Sequence, residues 1–203
     1  MRKISKGIWT VLVVLLVMTQ TIEVNAVEQE MKGKMYEQNG SCKNVALMDE
    51  YMEDVPDQLI QFLSRNGWTI CLTTEDIAKT EFDGAYKSVL GVTIFKEKTI
   101  KIEDRKKAIK ESLYHEIGHA LDGVNTKSCT FCTDSVFQAA YEQEKSVFVK
   151  LAGATQQTIS DCHEYFAECV NQYYTNAKNF KKKCPESYAF VKCALEEVTS
   201  LAK

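Results

Sequence analysis

His115, Glu116 and His119 stand in the order His-Glu-x-x-His, within Ser112-Leu-Tyr-His115-Glu116-Ile-Gly-His119-Ala-Leu-Asp122-Gly123. Residues four apart in an α-helix lie about 40° apart around its axis, so these two imidazoles would converge on one ion. Glu116 falls on the flank of the pair, where its carboxylate can take a proton from a water held by that ion. Such a set performs zinc-assisted hydrolysis.

Two histidines do not complete a tetrahedral zinc site, which needs a third protein ligand and an open position. The candidates cluster in Ser160-Asp161-Cys162-His163-Glu164-Tyr165-Phe166-Ala167-Glu168. Glu164 and Glu168, four apart on one helical face, would repel each other without a cation or donors nearby. One glutamate on the metal, with the other accepting a hydrogen from a ligand histidine, satisfies both. His163 as the ligand, or two merely solvated glutamates, are the alternatives. Asp122, one turn beyond His119, is a further carboxylate able to support the histidines.

The elements that must position these groups follow from periodicity. At 100° per residue, Ala108, Ser112, His115, His119 and Asp122 share a sector of about 80°. Ile109, Leu113, Ile117, Ala120, Leu121 and Val124 gather opposite, giving the helix a buried back and a polar front. Asp104 is expected to cap its start and Gly123 to lie just past its end, with Gly118 and Ala120 leaving room around the site. Upstream, Val89 to Phe95, a charged turn at 96–98 and Thr99 to Ile102 predict a hairpin. One of its strands would be an edge beside the active-site cleft, able to take an extended peptide as an added strand. Gly91 would allow close backbone approach there, or mark a bulge.

Helices are also predicted over 44–53, 56–65 and 137–151, the last with Phe137, Ala140, Tyr141, Val147, Phe148 and Leu151 on its apolar side. A further helix begins at Ser160 or Asp161, and 68–72 alternates as a strand. The fold class is α+β, a small mixed sheet with an edge strand beside the histidine helix.

Arg2, Lys3 and Lys6, an apolar run from Ile8 to Met18 and the small-residue site Val24-Asn25-Ala26 read as a secretory signal over 1–26. A loose tail over 27–43 would precede a single domain over 44–203. Removing 1–26 takes away three basic residues and one acidic, lowering the net charge from −3 to −5. A mildly acidic chain without basic stripes is a poor nucleic-acid binder. The lysines between 178 and 183 read as a solvated helix end, and a monomer is expected.

All eight cysteines (42, 71, 129, 132, 162, 169, 184 and 193) follow the signal. An even count in an exported chain favours disulfides, although eight cysteines allow 105 connectivities. Cys129-Thr-Phe-Cys132 is a single CxxC without a second knuckle, so a zinc ribbon is not expected. Cys162 and Cys169, two turns apart on one helix, cannot bridge each other.

His115-Glu116-Ile-Gly-His119-Ala-Leu-Asp122, then Glu164-Tyr-Phe-Ala-Glu168, then Cys184-Pro-Glu-Ser-Tyr188-Ala-Phe190 resembles the catalytic domain of the anthrax lethal factor family. It resembles even more the secreted Pro-Pro endopeptidases of that zinc-peptidase family. Leu59-Ile-Gln-Phe-Leu63 through Ile70-Cys-Leu72 is similar to their lead-in, so the resemblance spans roughly 55 to 195. It implies a zincin-like metallopeptidase fold with one Zn2+ on His115, His119 and Glu164, Glu116 as general base and Glu168 supporting the site. It also implies a secreted, gluzincin-like metalloendopeptidase acting on protein or peptide held as an extended strand, with no membrane attachment after signal cleavage.

One position departs from the pattern. The family's oxyanion-stabilising tyrosine falls here on Gln157, beside Gln156, and such a loss costs about a hundred- to a thousandfold in rate. Tyr141 or Tyr165 could stand in, or the chain could be a secreted zinc-binding module with weak or no turnover. His163 stands where the proline-specific members carry an acidic residue, so the resemblance does not carry proline specificity with it.

Overall fold

Ile70 and Leu72 alternate with Thr69, Cys71 and Thr73, and Ile100 and Ile102 alternate in the same way with Thr99, Lys101 and Glu103. That period of two turns four aliphatic side chains onto one face, and all four are buried. The computed structural model describes residues 36–124, 131–153, 159 and 161–201. The expected signal (1–26) and the first part of the expected tail (27–35) lie outside these residues.

The sheet contains β1 (Glu37–Asn39), β2 (Thr69–Thr73), β3 (Gly91–Ile94) and β4 (Thr99–Glu103), in the order β1-β2-β4-β3. β1, β2 and β4 run parallel, while β3 returns antiparallel to β4 and forms one edge. Register is continuous from Gly91↔Ile102 to Ile94↔Thr99, so Gly91 makes no bulge. The charged turn closes with Lys98 in the left-handed region (φ 51°).

The end of the tail is not loose. β1 pairs with β2, and the Asp104 carboxylate accepts from the backbone N–H of Lys43 at 2.6 Å and of Asn44 at 2.8 Å. Asp104 therefore ties the tail to the end of β4, rather than capping the histidine helix as its position suggested.

Helices α1 (Val45–Glu53), α2 (Asp57–Arg65) and the short α3 (Ile77–Thr80) precede the hairpin. The histidine helix α4 (Lys106–Val124) follows it, then a 3-10 turn (Phe131–Thr133), α5 (Ser135–Ala152), α6 (Cys162–Thr175), α7 (Ala177–Lys183) and α8 (Pro185–Leu201). α4 runs through Gly123 instead of ending before it. A Cβ at Gly123 would overlap the Phe95 ring at the end of β3, so the glycine serves packing and not a cap.

Gly118 likewise does not open space at the site. A Cβ there would lie 2.7 Å from Ala167 Cα, so its hydrogen side chain lets α4 and α6 cross in backbone contact. Ile109, Leu113, Ile117, Ala120 and Leu121 are buried as the apolar back of α4 requires. Tyr114 stacks between Tyr51 and Tyr174, at 5.6 and 4.7 Å between ring centroids.

On α5, Phe137, Ala140, Tyr141 and Phe148 face the core, while Val147 is 40% exposed, outside the expected stripe. Glu144 occupies a core position in its place. Its carboxylate accepts from the N–H groups of Glu186 at 3.1 Å and Ser187 at 3.0 Å, the first turn of α8. A buried charge satisfied by a helix N-terminus replaces an apolar contact.

The disulfides expected of an exported chain are not formed by Cys42, Cys71, Cys162, Cys169, Cys184 or Cys193, which are free thiols. Cys169 and Cys184 are fully buried, and burial pushes both thiols up, Cys184 to about 12. Both are held as protonated, inert core groups. Cys129 lies outside the described residues.

Candidate metal centre

Helix α4 presents His115 and His119 one turn apart on its polar front, with Nε2 atoms 3.1 Å apart. α6 crosses at Gly118 and brings Glu164 against both rings. Glu164 Oε2 lies 3.4 Å from His115 Nε2, and Oε1 lies 3.5 Å from His119 Nε2. Asp161 fixes the start of α6 by accepting from the N–H of His163 at 2.9 Å and of Glu164 at 3.0 Å. The first turn, and with it Glu164, is thereby set in place.

Donors held about 2.0–2.2 Å from a shared tetrahedral ion stand about 3.3–3.6 Å apart. The two distances to Glu164, 3.4 and 3.5 Å, fall in that range and the 3.1 Å between the histidines falls just below it, and the donor atoms of all three residues lie within 4.8 Å of one another. Imidazole and carboxylate donors in this number suit zinc.

Glu168 is one turn deeper. Its Oε2 lies 3.2 Å from His115 Nδ1, and its Oε1 accepts from Asn171 Nδ2 at 3.1 Å and Gln172 Nε2 at 3.0 Å. With Nδ1–H donating to Glu168, the lone pair of His115 Nε2 is left facing Glu164 and His119. Asn171 and Gln172 are site residues that the motif did not reveal. Their only trace in the sequence is their spacing of three and four from Glu168 on a helix.

Without a metal the cluster attracts a proton. Burial works against a charged His115, but its hydrogen bonds to Glu164 and Glu168 and the nearby Glu116 outweigh it, raising the ring to about 10. The same bonds from His115 and His119 hold Glu164 well below the usual carboxylate range. The site is built for positive charge.

Glu116 is buried and faces the edge strand. Thr93 Oγ1 stands 2.7 Å from Glu116 Oε2 and 3.0 Å from its carbonyl. Nothing in the sequence linked Thr93 to the motif. Gly91 makes this approach possible: a Cβ there would come within 3.0 Å of Glu116 Cγ and Ser112 Cβ. The close approach expected at Gly91 is thus to the chain's own helix.

The remaining candidates are placed elsewhere or lie outside the described residues. Asp122 does not support the histidine pair. Its Oδ2 is 2.6 Å from His163 Nδ1, and its Oδ1 accepts from the Cys132 N–H at 2.9 Å. This follows from the extra turn between His119 and Asp122, which carries the carboxylate to the start of α6. Tyr141 donates its hydroxyl to the Ile159 carbonyl at 3.1 Å. Tyr165 is fully buried, with its hydroxyl 2.8 Å from Ser187 Oγ. Gln156 and Gln157 lie outside the described residues.

The geometry can be set beside known proteins. No curated protein matches the chain. Among solved structures, a Pro-Pro endopeptidase from Paenibacillus alvei superimposes with a TM-score of 0.62 at 22% identity, covering 80% of this chain and 98% of that one. The family model described as anthrax toxin lethal factor, N- and C-terminal domain, matches residues 21–194. With that match running over most of its length and a zincin-like α+β frame beneath it, the chain belongs to the anthrax toxin lethal factor family.

Proposed function

We propose that the chain is a secreted zinc metalloendopeptidase, with one Zn2+ held by His115, His119 and Glu164 and with Glu116 as general base. The observation that carries this reading is the convergence of three metal donors with His115 pinned by Glu168. A bound zinc would supply Lewis acidity to the scissile carbonyl and acidify the attacking water. Glu116 would take the proton of that water and pass it to the departing amine nitrogen. Thr93 holds the Glu116 carboxylate for that task.

Substrate would lie extended along β3, the edge strand beside α4, using backbone hydrogen bonds as an added strand does. Of the expected oxyanion donors, Tyr141 would act only on releasing Ile159 and Tyr165 only on leaving Ser187, and Gln157 is the remaining candidate. Secretion rests on the signal-like residues 1–26; among the described residues, no helix is long and apolar enough to cross a membrane.

The commitment of the Tyr141 hydroxyl favours a second reading, a secreted zinc-binding member with weak or absent turnover. The two separate when zinc per molecule and cleavage of a mixed peptide library are measured for wild type and Glu116→Ala. One zinc in each with cleavage by wild type alone supports the peptidase. Zinc in both without cleavage by either supports the binding module, and absence of zinc from both defeats both readings.

A further inference from the structure

A second cluster of ligand-type side chains lies where the last turn of α4, the 3-10 turn and the first turn of α6 meet. Cys132 Sγ is 3.1 Å from His163 Nδ1 and 3.6 Å from Nε2. The ligand atoms of Cys132, Cys162 and His163 all fall within 4.8 Å of one another. Thiolate and imidazole donors about 2.3 and 2.0–2.1 Å from a shared zinc stand about 3.5 Å apart, close to the 3.6 Å between Cys132 Sγ and His163 Nε2.

Asp122 completes the arrangement. It is nearly inaccessible to solvent, which demands partners for its charge, and both partners belong to this cluster. One carboxylate oxygen accepts from the Cys132 N–H and fixes the turn that carries the thiol. The other takes His163 Nδ1 at 2.6 Å, leaving Nε2, 3.6 Å from Cys132 Sγ, as the nitrogen able to face an ion. A buried carboxylate that engages one imidazole nitrogen fixes the tautomer and leaves the other as the metal donor, which is how metal-binding histidines are oriented.

From this we propose that Cys132, Cys162 and His163, oriented by Asp122, form a second metal site that takes zinc or another thiolate-preferring divalent cation. Hard cations that require oxygen donors, such as calcium or magnesium, do not suit two sulfurs and an imidazole. The site spans the end of α4 and the start of α6, three residues past His119 and one before Glu164. Its metal would clamp the 3-10 turn to the start of α6, with Asp122 tying both to the end of α4. The site stands independently of the peptidase reading, since it shares no ligand with the first centre.

The test is Co2+ titration of the full-length mature chain with its thiols reduced, following the thiolate-to-cobalt charge-transfer band and cobalt per molecule. Wild type is expected to show the band, and His119→Ala to keep it. Cys162→Ser and His163→Ala, both at accessible positions, are expected to lose the band and one cobalt per molecule. Asp122→Asn is expected to weaken the band-forming event by about 10- to 100-fold. A wild-type titration without the band overturns the site. So does a band that survives Cys162→Ser undiminished. Recovery of Cys132 and Cys162 as one disulfide-linked peptide pair, from chain isolated with its thiols alkylated, overturns it as well.

Discussion

Glu168 Oε2 lies 3.2 Å from His115 Nδ1, and that bond decides which nitrogen of His115 can face an ion. The same carboxylate is held from behind by Asn171 and Gln172, so the ring is oriented by a group that is itself fixed. Glu168→Ala should therefore retain the fold but bind zinc about 10- to 100-fold more weakly, the usual effect of removing such a partner. Competition against a chromogenic chelator measures this; unchanged zinc affinity would show that Glu168 does not orient the ligand.

The proton held in the metal-free cluster gives a pH dependence of defined sign. His115 rises from an ordinary 6.5 to about 10, so its contribution to stability is complete below 6.5 and is lost as pH climbs towards 10. Glu164 is shifted the other way, and its contribution is lost on acidification below its ordinary value of 4.5. Metal-free chain should thus melt highest between about pH 4.5 and 6.5 and lower at pH 9. Zinc uptake at neutral pH should release a proton, seen as binding heats that vary with the ionisation enthalpy of the buffer. Buffer-independent heats would contradict the shared proton.

Thr93→Val removes one hydroxyl and keeps the shape of the side chain. A hydrogen bond to a charged group contributes about 1.5–3 kcal/mol, so kcat should fall tenfold or more with zinc content unchanged. A kcat equal to that of wild type would mean that the bond from β3 does not position Glu116.

Gly118→Ala puts a methyl carbon 2.7 Å from Ala167 Cα. Backbone cannot yield there as a flexible side chain would, so α4 and α6 must separate. Overpacking of this kind costs on the order of 1–3 kcal/mol in urea unfolding and should also weaken zinc binding, because the proposed ligands sit on both helices. A variant as stable as wild type would show that the crossing is not as tight as the contact implies.

Local periodicity determined much of this protein. The spacing of four between His115 and His119, the apolar back of α4, the alternation in β2 and β4 and the Asp161 cap all follow from one chain segment folding on itself. Such features repeat with the geometry of a helix or a strand, and sequence displays that geometry directly. The resemblance carried the choice of Glu164 over Glu168 as ligand.

Only the tertiary structure decided which groups meet across elements. Asp122 reads as a neighbour of His119, yet its partner is His163, 41 residues away. Thr93 reaches Glu116 because Gly91 lets an edge strand settle on α4, and Gly118 sets the crossing that aligns two helices of donors. Glu144 lies buried because the N-terminus of α8 is there to satisfy it. These pairings depend on the crossing point and rotation of separate elements, which the packing of the whole core sets and no period within a segment encodes.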